Sequence, residues 1–370
     1  MKKILIFVND YNYFISHKYD ALKKLNKKKF CFEVFSPNRK KFTRSNFKFE
    51  PYFIKSLNKN IIYELLTFLN MFWIMYRKKN YIFQYYTIKP IFYGSIISKI
   101  LKIRKNFFIF SGLGNFIGHD KGTLSLIINK ILKLFLPSKN HFFLFQNKND
   151  FYKLKKKKII NSKNIYFSLG SGLNFEKLPK LKRKVLKKNN YINVVMPCRM
   201  KFHKGVLDFI EIANYFQKTN YKMNFYLIGK TNTSNDYVQY KFLKNLGKNT
   251  NNLKWLGEVK SKKKIYQLAD IILILSKYGE GVPKVALESI YYNKYIVSYD
   301  IPGCRDVINN KVNGDLVKLD SKKSVCLKLE MLYRNRQLLN KNLKQSKKFA
   351  LTNFNLNKIK KIHTEIYEKI

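Results

Sequence analysis

Short apolar runs rich in Ile, Val, Phe and Tyr alternate along the chain with longer segments whose apolar positions follow a helical period. The short runs are apolar at nearly every position, which is typical of parallel strands covered on both faces. In the first half this pattern predicts strands at Ile4–Val8, Phe32–Phe35, Ile82–Tyr85, Phe107–Phe110 and Phe142–Phe145, with helices at Ile61–Tyr76, Ile91–Ile103 and Leu124–Phe135. This order is that of repeated βα units.

The pattern is interrupted around residues 174–190, which are charged and contain no strand-like run. A second series follows, with predicted strands at Ile192–Met196, Phe225–Ile228, Leu253–Leu256, Ile271–Leu275 and Ile296–Ser298, and helices at Val206–Gln217, Lys262–Leu268 and Val285–Tyr292. We therefore predict an α/β chain of two Rossmann-like doubly wound parallel-sheet domains, at 1–175 and 185–350, facing each other across a cleft. Ligands should bind at the carboxyl ends of the strands.

The charge of the chain suggests a second class of function. Lys plus Arg number 74 against 22 Asp plus Glu, a formal net charge of +52. However, 65 of these 74 residues are Lys, only nine are Arg, and there are only five Ala. This bias towards A/T-rich codons indicates compositional drift, and the lysines lie in nearly every predicted helix and loop. A nucleic-acid-binding protein would concentrate them on one face and use Arg for base contacts. We therefore predict no nucleic-acid partner.

Cysteine, histidine and hydropathy patterns exclude other classes. The four Cys and five His show no metal-ligand spacing, and no Asp-x-Asp pair occurs. No run of eighteen apolar residues is present, and the first residues, MKKILIFVND, lack the apolar core of a signal peptide. These observations predict a cytoplasmic protein with neither a bound metal nor a cofactor.

The segment ADIILILSKYGEGVPKVALESI carries the strongest site pattern. A buried strand leads into a glycine-flanked loop, and Pro283 fits the first turn of the next helix. The free N–H groups of that helix start, with Gly281 and Val282 before it, favour binding of a diphosphate. We predict that Glu280 faces the group beyond the diphosphate and that Glu288 accepts hydrogen bonds from ribose hydroxyls.

Two cations follow the first strand of the second series. Arg199 comes directly after that strand, and Lys204 lies five positions on, at a predicted helix start. Guanidinium and ammonium groups complement a diphosphate whose negative charge rises as a glycosidic bond breaks. We therefore predict a catalytic role for both. Arg305, in the PGCRD turn, is interpreted instead as a structural tie to the adjacent strand.

Here the sequence resembles a known family. Glu280, seven residues and Glu288 match the Glu-x7-Glu signature of the family-four retaining glycosyltransferases, and Arg199 with Lys204 resembles their Arg-x4-Lys element. FYLIGK and LKWLGEV resemble their nucleotide-side loops, which implies donor contacts at Gly229 and Leu256. The resemblance implies the two-domain GT-B fold, with the last helix, 354–370, packed back on the first domain. It also implies metal-independent transfer of a sugar with retention of configuration.

The first half resembles a subgroup that acts on lipid-linked sugars, through SGLGNFIGHD, FQNKND and GSGLN. This resemblance implies a UDP-linked hexose or N-acetylhexosamine as donor and an undecaprenyl-diphosphate-linked saccharide as acceptor, as in bacterial N-acetylgalactosaminyltransferases. Lipopolysaccharide core and soluble glycans are alternative acceptors. Predicted acceptor contacts are Gly112, Gly114 and Asn115. His17 is a further candidate, either as an acceptor ligand or base, or as a capping or packing residue.

A membrane surface is the last predicted partner. The predicted helices Ile91–Ile103 and Leu124–Phe135 are apolar and carry lysines, which is typical of helices that lie on an anionic leaflet. The same periodicity also fits helices that simply cover the sheet with their lysines in water. Together with the resemblance, it predicts peripheral association with the inner face of the cell membrane.

Overall fold

The structure is a computed structural model of the 370-residue chain. It describes residues 1–37, 42–44, 47–51, 61–114, 123–181, 190–247, 250–279, 281–309, 312–340 and 344–370. Of the predicted site residues, Asn115 and Glu280 lie outside these ranges. The chain divides into two compact units, Met1–Gly172 with Asn355–Ile370, and Leu173–Phe354.

The first unit is built on a sheet of eight strands among the described residues. Their order is β3-β4-β2-β1-β5-β6-β7-β8, and every pair is parallel except β3 with β4 at the edge. The strands are β1 (Lys2–Phe7), β2 (Phe30–Ser36), β3 (Phe42–Arg44), β4 (Phe47–Pro51), β5 (Ile82–Tyr86), β6 (Asn106–Phe110), β7 (Phe142–Phe145) and β8 (Ile165–Phe167).

Helices cover both faces of this sheet because successive strand residues point to opposite sides. One core contains Leu5, Phe7 and Tyr85 and packs against α3, α4 and α5; the other contains Ile4, Ile6 and Tyr86 and packs against α1, α2 and α15. The helices are α1 (Tyr11–His17), α2 (Tyr19–Leu22), α3 (Ile61–Arg77), α4 (Ile88–Ile100), α5 (Thr123–Phe135), α6 (Lys148–Lys156) and α15 (Leu356–Lys369).

Two buried histidines make the first unit sensitive to acid. The ring Nδ1 of His141 lies 3.0 Å from the Leu136 carbonyl oxygen, and that of His363 lies 2.9 Å from the Ile359 carbonyl oxygen. Burial lowers the pKa of each from 6.5 to about 4. Between pH 6.5 and about pH 4, the two histidines are protonated in the unfolded chain but not in the folded chain. Their contribution to the free energy of unfolding is therefore complete above pH 6.5 and is lost as the pH falls towards 4.

We expect the melting temperature to fall as the pH is lowered from about 6.5 to 4, because in this range the histidines take up protons in the unfolded chain only. His363→Phe should flatten this dependence, because Phe cannot take up the proton. A thermal melt at each pH checks this. A His363→Phe profile parallel to that of the wild type would contradict the assignment.

The second unit is built on six parallel strands among the described residues, in the order β11-β10-β9-β12-β13-β14. The strands are β9 (Ile192–Pro197), β10 (Met223–Ile228), β11 (Leu253–Trp255), β12 (Ile271–Ile274), β13 (Tyr295–Tyr299) and β14 (Gly314–Val317). The helices are α7 (Val206–Gln217), α8 (Tyr240–Asn245), α9 (Lys262–Leu268), α10 (Lys284–Tyr291), α11 (Pro302–Arg305), α12 (Lys322–Arg334), α13 (Gln337–Asn340) and α14 (Lys344–Asn353). Short 3₁₀ turns lie at Phe175–Lys177 and Phe202–Lys204.

The predicted fold class of two Rossmann-like parallel-sheet domains is confirmed. Helices Val206–Gln217 and Lys262–Leu268 and strand Phe142–Phe145 have the predicted bounds. The helix predicted at Ile91–Ile103 instead spans Ile88–Ile100, because Pro90 fits in the first turn, where its missing N–H costs nothing. Four strands were not predicted: β3, β4, β8 and β14. No helix within the described ranges has both the length and the apolar character needed to cross a membrane.

Candidate functional site

In the sheet of the second unit, β9 and β12 are neighbours, and the order in which the chain adds strands reverses between them. The chain runs outward from β9 to β10 and β11, then returns to place β12 on the other side of β9. The loops that follow β9 and β12 therefore leave in opposite directions, which opens a crevice at the strand carboxyl ends. In open α/β sheets this is the place where ligands bind.

A cavity of about 40 Å³ lies at this position. Its lining comes from the ends of both strands and the loops after them: Met196, Pro197, Cys198, Lys204, Leu273, Ile274, Leu275, Ser276, Pro283 and Val285. This volume is well below the roughly 300 Å³ at which small-molecule pockets begin. The cavity therefore suits one end of a ligand, and the rest of a larger ligand would extend beyond it.

Lys204 is the cationic side chain that lines the cavity. It ends the 3₁₀ turn Phe202–Lys204, and its Nζ lies 5.1 Å from the centroid of the Tyr278 ring. The backbone N–H of Lys277 donates to the His203 carbonyl oxygen at 2.9 Å. The loop after β12 thus holds the turn that carries Lys204, so the position of its ammonium depends on both loops.

Gly205 allows these two loops to approach each other. It has φ +77°, and a Cβ at this position would lie 2.3 Å from the Leu275 carbonyl oxygen. A side chain would therefore both strain the backbone and separate the loops. Nothing in the local sequence distinguishes this glycine, because its role depends on a contact with a loop seventy residues away.

Arg199 lies on the same loop as Lys204 but takes a different place. Its side chain is exposed and does not line the cavity. The neighbouring backbone is fixed, since the N–H of Cys198 donates to the Ile228 carbonyl oxygen at 2.9 Å and that of Met200 to the Lys230 carbonyl oxygen at 3.1 Å. The structure therefore includes Lys204 in the lining of the cavity, whereas Arg199 is exposed on the same loop and is not part of that lining.

Gly229 and Leu256 lie at the ends of the neighbouring strands. Gly229 has φ +148°, and a Cβ there would lie 1.7 Å from the Cys198 carbonyl oxygen. Its N–H donates to the Gly257 carbonyl oxygen at 2.7 Å, and its carbonyl accepts from Trp255 Nε1 at 2.9 Å. Loop packing alone thus requires this glycine. Leu256 is exposed beside it.

The helix α10 begins at the other side of the cavity. Pro283 is its N-cap, with ψ 131°, one position before the predicted first turn, and it lines the cavity together with Val285. Gly281 and Val282 are buried in the preceding loop. A Cβ on Gly303 would lie 2.2 Å from the Gly281 carbonyl oxygen, so the loop is packed tightly on α11. The start of a helix favours negative charge, and here it lines the same cavity as Lys204.

Glu288 lies in α10 with 6% of its surface exposed. One carboxylate oxygen accepts from Lys262 Nζ at 2.5 Å, and the other accepts from the Tyr266 hydroxyl at 2.9 Å. Burial first, and then the Glu288 charge, raise the pKa of Tyr266 well above its ordinary value, so this hydroxyl stays protonated and donates. Each carboxylate oxygen keeps capacity for a further hydrogen bond, which a ligand hydroxyl could supply.

Lys262 and Tyr266, both on α9, were not predicted as part of the site. The helix itself was predicted, but nothing in the local pattern shows that its first turn reaches Glu288.

In the first-unit loop that follows β6, Gly112 and Gly114 have φ +128° and +60°, which explains why glycine is present at both positions.

His17 ends helix α1 and belongs to a different environment. Its ring stacks on Tyr13 with centroids 4.8 Å apart, and its Nδ1 lies 2.7 Å from the Ser16 hydroxyl oxygen. It lines a small first-unit cavity together with Lys18 and His363. These contacts are those of a packed residue at a cavity wall.

Arg305 has the structural contact that the sequence predicts. Its Nε donates to Asp300 Oδ1 at 2.6 Å, and its second nitrogen donates to Oδ2 at 3.2 Å. Asp300 directly follows β13, so the pair ties the turn to the strand. Within the described ranges, no cluster of three or more His, Cys, Asp or Glu side chains could hold a metal ion.

Comparison with protein families decides what kind of domain surrounds this cavity. Residues 178–349 match the model described as "Glycosyl transferases group 1". The match covers 172 of the 370 residues, so this segment is similar to a group 1 glycosyltransferase domain. The matched segment contains the cavity and every predicted donor-side residue, from Arg199 to Glu288.

Similarity to an individual curated protein is low and covers only part of the chain. The chain is 27% identical, over 162 residues, to an α-1,4-N-acetyl-D-galactosaminyltransferase of Campylobacter jejuni that acts on a diphosphate-undecaprenol-linked saccharide. The match covers 42% of this chain and 43% of that protein, less than half the length of either.

Solved structures resemble the whole chain in fold. Sucrose-phosphate synthase of Thermosynechococcus elongatus aligns over 100% of this chain and 99% of its own, with a TM-score of 0.78 at 13% identity. Anabaena Alr3699/HepE, solved with UDP and glucose, aligns over 100% of both chains with a TM-score of 0.74 at 14% identity. At this identity the likeness shows the fold alone, that of GT-B glycosyltransferases.

Proposed function

We propose that this protein is a retaining glycosyltransferase that transfers a hexose or N-acetylhexosamine from a UDP-sugar to an undecaprenyl-diphosphate-linked saccharide, in surface polysaccharide or glycan biosynthesis. One observation carries the proposal. In a segment that matches the group 1 glycosyltransferase model, Lys204 and the start of α10 line the same cavity at the switch point of the sheet. Both features attract a diphosphate.

The donor's diphosphate occupies this cavity in our proposal. As the bond between the anomeric carbon and the diphosphate breaks, negative charge builds up on the leaving oxygen. Lys204 and the helix start stabilise this charge more strongly in the transition state than in the bound donor, which accelerates departure. Arg199, exposed on the same loop, contacts the diphosphate once the donor extends past the cavity.

The two glutamates orient the donor in this proposal. Glu288, held by Lys262 and Tyr266, accepts hydrogen bonds from the ribose hydroxyls with its remaining lone pairs. Glu280 positions the sugar. The acceptor hydroxyl attacks the anomeric carbon from the face that the diphosphate leaves, and its proton passes to the departing diphosphate oxygen. This front-face course gives the retained configuration.

The acceptor belongs to the first unit in this proposal. Support for a lipid-linked saccharide comes from the Campylobacter jejuni relative, which acts on a diphosphate-undecaprenol-linked substrate. Gly112, Gly114 and Asn115 form the proposed acceptor loop, with His17 as a further acceptor residue. Such a substrate places the reaction at the inner face of the cell membrane, with the protein bound peripherally.

A panel of nucleotide sugars tests this function. Each donor is incubated with a polyprenyl-diphosphate-linked saccharide, a lipopolysaccharide core or a soluble glycan, and release of the nucleoside diphosphate is measured. We expect a UDP-sugar with the polyprenyl-linked acceptor to give the fastest turnover. Faster transfer to either other acceptor would overturn the acceptor assignment, and turnover of none of the nucleotide sugars would overturn the function.

We expect transfer to persist after treatment with a metal chelator. In the proposed site, Lys204, Arg199 and the start of α10 supply the positive charge that a divalent cation supplies elsewhere. Initial rates before and after exhaustive EDTA dialysis check this. A loss of activity that added Mg²⁺ or Mn²⁺ restores would contradict it.

A further inference from the structure

Helix α3 presents an apolar face to solvent. Seven of its residues are between 45% and 83% exposed: Ile61, Ile62, Leu65, Leu66, Leu69, Trp73 and Tyr76. At about 100° per residue they fall within one arc of about 140°, which we call the α3 apolar face. Met71 and Met75, on the opposite side, are buried against the sheet. A helix that is apolar on both sides needs a second apolar environment.

The charges around this face are almost all positive. Helices α3, α4 and α5, which cover the same side of the sheet, contain one acidic residue, Glu64, and five basic ones: Arg77, Lys89, Lys99, Lys130 and Lys133. The Glu64 carboxylate accepts from Lys89 Nζ at 2.7 Å and from the Tyr93 hydroxyl at 2.6 Å. The single acid of these three helices is thus paired with Lys89 of α4, and the other charges on them are positive.

The carboxyl end of the face combines aromatic rings with cations. Trp73 and Tyr76 stack with centroids 6.1 Å apart. The Arg77 guanidinium lies 5.8 Å from the Trp73 ring, and Lys79 Nζ lies 4.6 Å from the Tyr76 ring. Amphipathic aromatic rings and long cationic side chains of this kind suit the boundary between lipid headgroups and acyl chains.

Helix α5 extends the same surface. Leu126, Ile127 and Leu134 are more than half exposed, next to the exposed Lys130 and Lys133. In helix α4, by contrast, the apolar residues are buried or half-buried, and Ile100 is the one large apolar side chain of comparable exposure. Of the two helices that the sequence favours for membrane contact, the structure supports α5, and it adds α3.

We propose that the α3 apolar face is the docking surface for an anionic lipid bilayer, with α3 lying in the plane of the headgroup region. Insertion would bury the exposed leucine, isoleucine and aromatic side chains while the surrounding lysines and arginine meet anionic headgroups. A second copy of the chain fits this surface less well. Symmetric pairing would place the same positive patches against each other. The inference deepens the proposed function by naming the surface, but lipid binding is measurable without sugar transfer.

Tryptophan fluorescence gives a direct readout, because the chain contains only Trp73 and Trp255. In Trp255→Phe, Trp73 is the sole reporter. We expect its emission to shift to shorter wavelength when phosphatidylcholine vesicles containing phosphatidylglycerol are added, and brominated acyl chains to quench it. No shift and no quenching would overturn the proposal.

A matched pair of variants distinguishes binding through this face from non-specific binding of exposed apolar side chains to vesicles. Leu65→Glu with Leu69→Glu should lower the vesicle partition coefficient by about tenfold or more, because apolar insertion is replaced by charge. Leu327→Glu, at a residue of α12 that is 57% exposed, similar to Leu65 at 56%, should bind vesicles like the wild type. Circular dichroism confirms that each variant is folded.

The outcomes distinguish this proposal from the function. If the Leu65/Leu69 variant binds vesicles as tightly as the wild type, the docking surface is overturned. It is also overturned if the wild type forms a dimer, and the Leu65/Leu69 variant is monomeric but still binds vesicles. UDP binding, measured in parallel, should be unchanged in this variant. Vesicle binding without UDP binding would leave the docking surface standing and remove the proposed function.

Discussion

Lys204→Met is expected to lower the rate constant of sugar transfer by about 10²–10³-fold, or roughly 3–4 kcal/mol of transition-state stabilisation. Methionine keeps an unbranched apolar stem over the Tyr278 ring but has no charge. The loss should appear mainly in kcat, because the leaving diphosphate carries more negative charge in the transition state than in the bound donor. Steady-state kinetics with the donor identified by the nucleotide-sugar panel measure this effect.

Lys201→Met is the matched control. Lys201 lies on the same loop, and its Nζ lies 4.7 Å from the Tyr237 ring and 2.5 Å from the Asp236 carboxylate, outside the cavity. We expect its kcat to stay near the wild-type value. If Arg199→Ala combined with Lys204→Ala still transfers sugar, neither cation acts on the diphosphate. Equal losses in Lys201→Met and Lys204→Met would indicate a general effect of loop charge.

Glu288→Gln is expected to weaken UDP binding by about tenfold or more. The substitution replaces a charged acceptor with a neutral one, and hydrogen bonds from ribose hydroxyls to a neutral amide oxygen are weaker than those to a carboxylate. The same change also breaks the ion pair with Lys262, so a lower affinity alone would not assign the role. Titration calorimetry with UDP and with 2′,3′-dideoxy-UDP separates the two effects.

Wild-type protein should prefer UDP over the dideoxy analogue, and Glu288→Gln should lose much of that preference. Lys262→Met breaks the ion pair but leaves the carboxylate, so it should keep the preference even if its stability falls. A Glu288→Gln protein that still discriminates like the wild type would contradict the ribose assignment and leave Glu288 a structural role.

Long apolar runs made much of the fold predictable from sequence. Phe142–Phe145 and Val206–Gln217 have the predicted bounds because each is a continuous or strongly periodic apolar segment. The strands β3 and β14 are only three and four residues long and include Arg44 and Asp315, respectively. Such short, partly polar strands at sheet edges carry no run that distinguishes them from loops.

The candidate site was predictable only where a residue stands in a recognisable local pattern of strand, loop and helix. Lys204 and Glu288 could be singled out from their position after a strand and within a helix. Lys262 could not, because its contact with Glu288 joins residues 26 positions apart and depends on how α9 and α10 pack. The α3 apolar face was equally hidden. A helix that is apolar on all sides does not show which side the sheet covers.

Hydrogen–deuterium exchange with and without UDP tests the central claim most directly, namely that a nucleoside diphosphate binds at the switch point of the second unit. We predict slower exchange confined to the loop from Cys198 to Gly205, the segment from Leu275 to Glu288 and the strand ends at Gly229 and Leu256. Lys204→Met should weaken the protection of the first two. Protection that appears only in Met1–Gly172, or no protection at saturating UDP, would contradict the account.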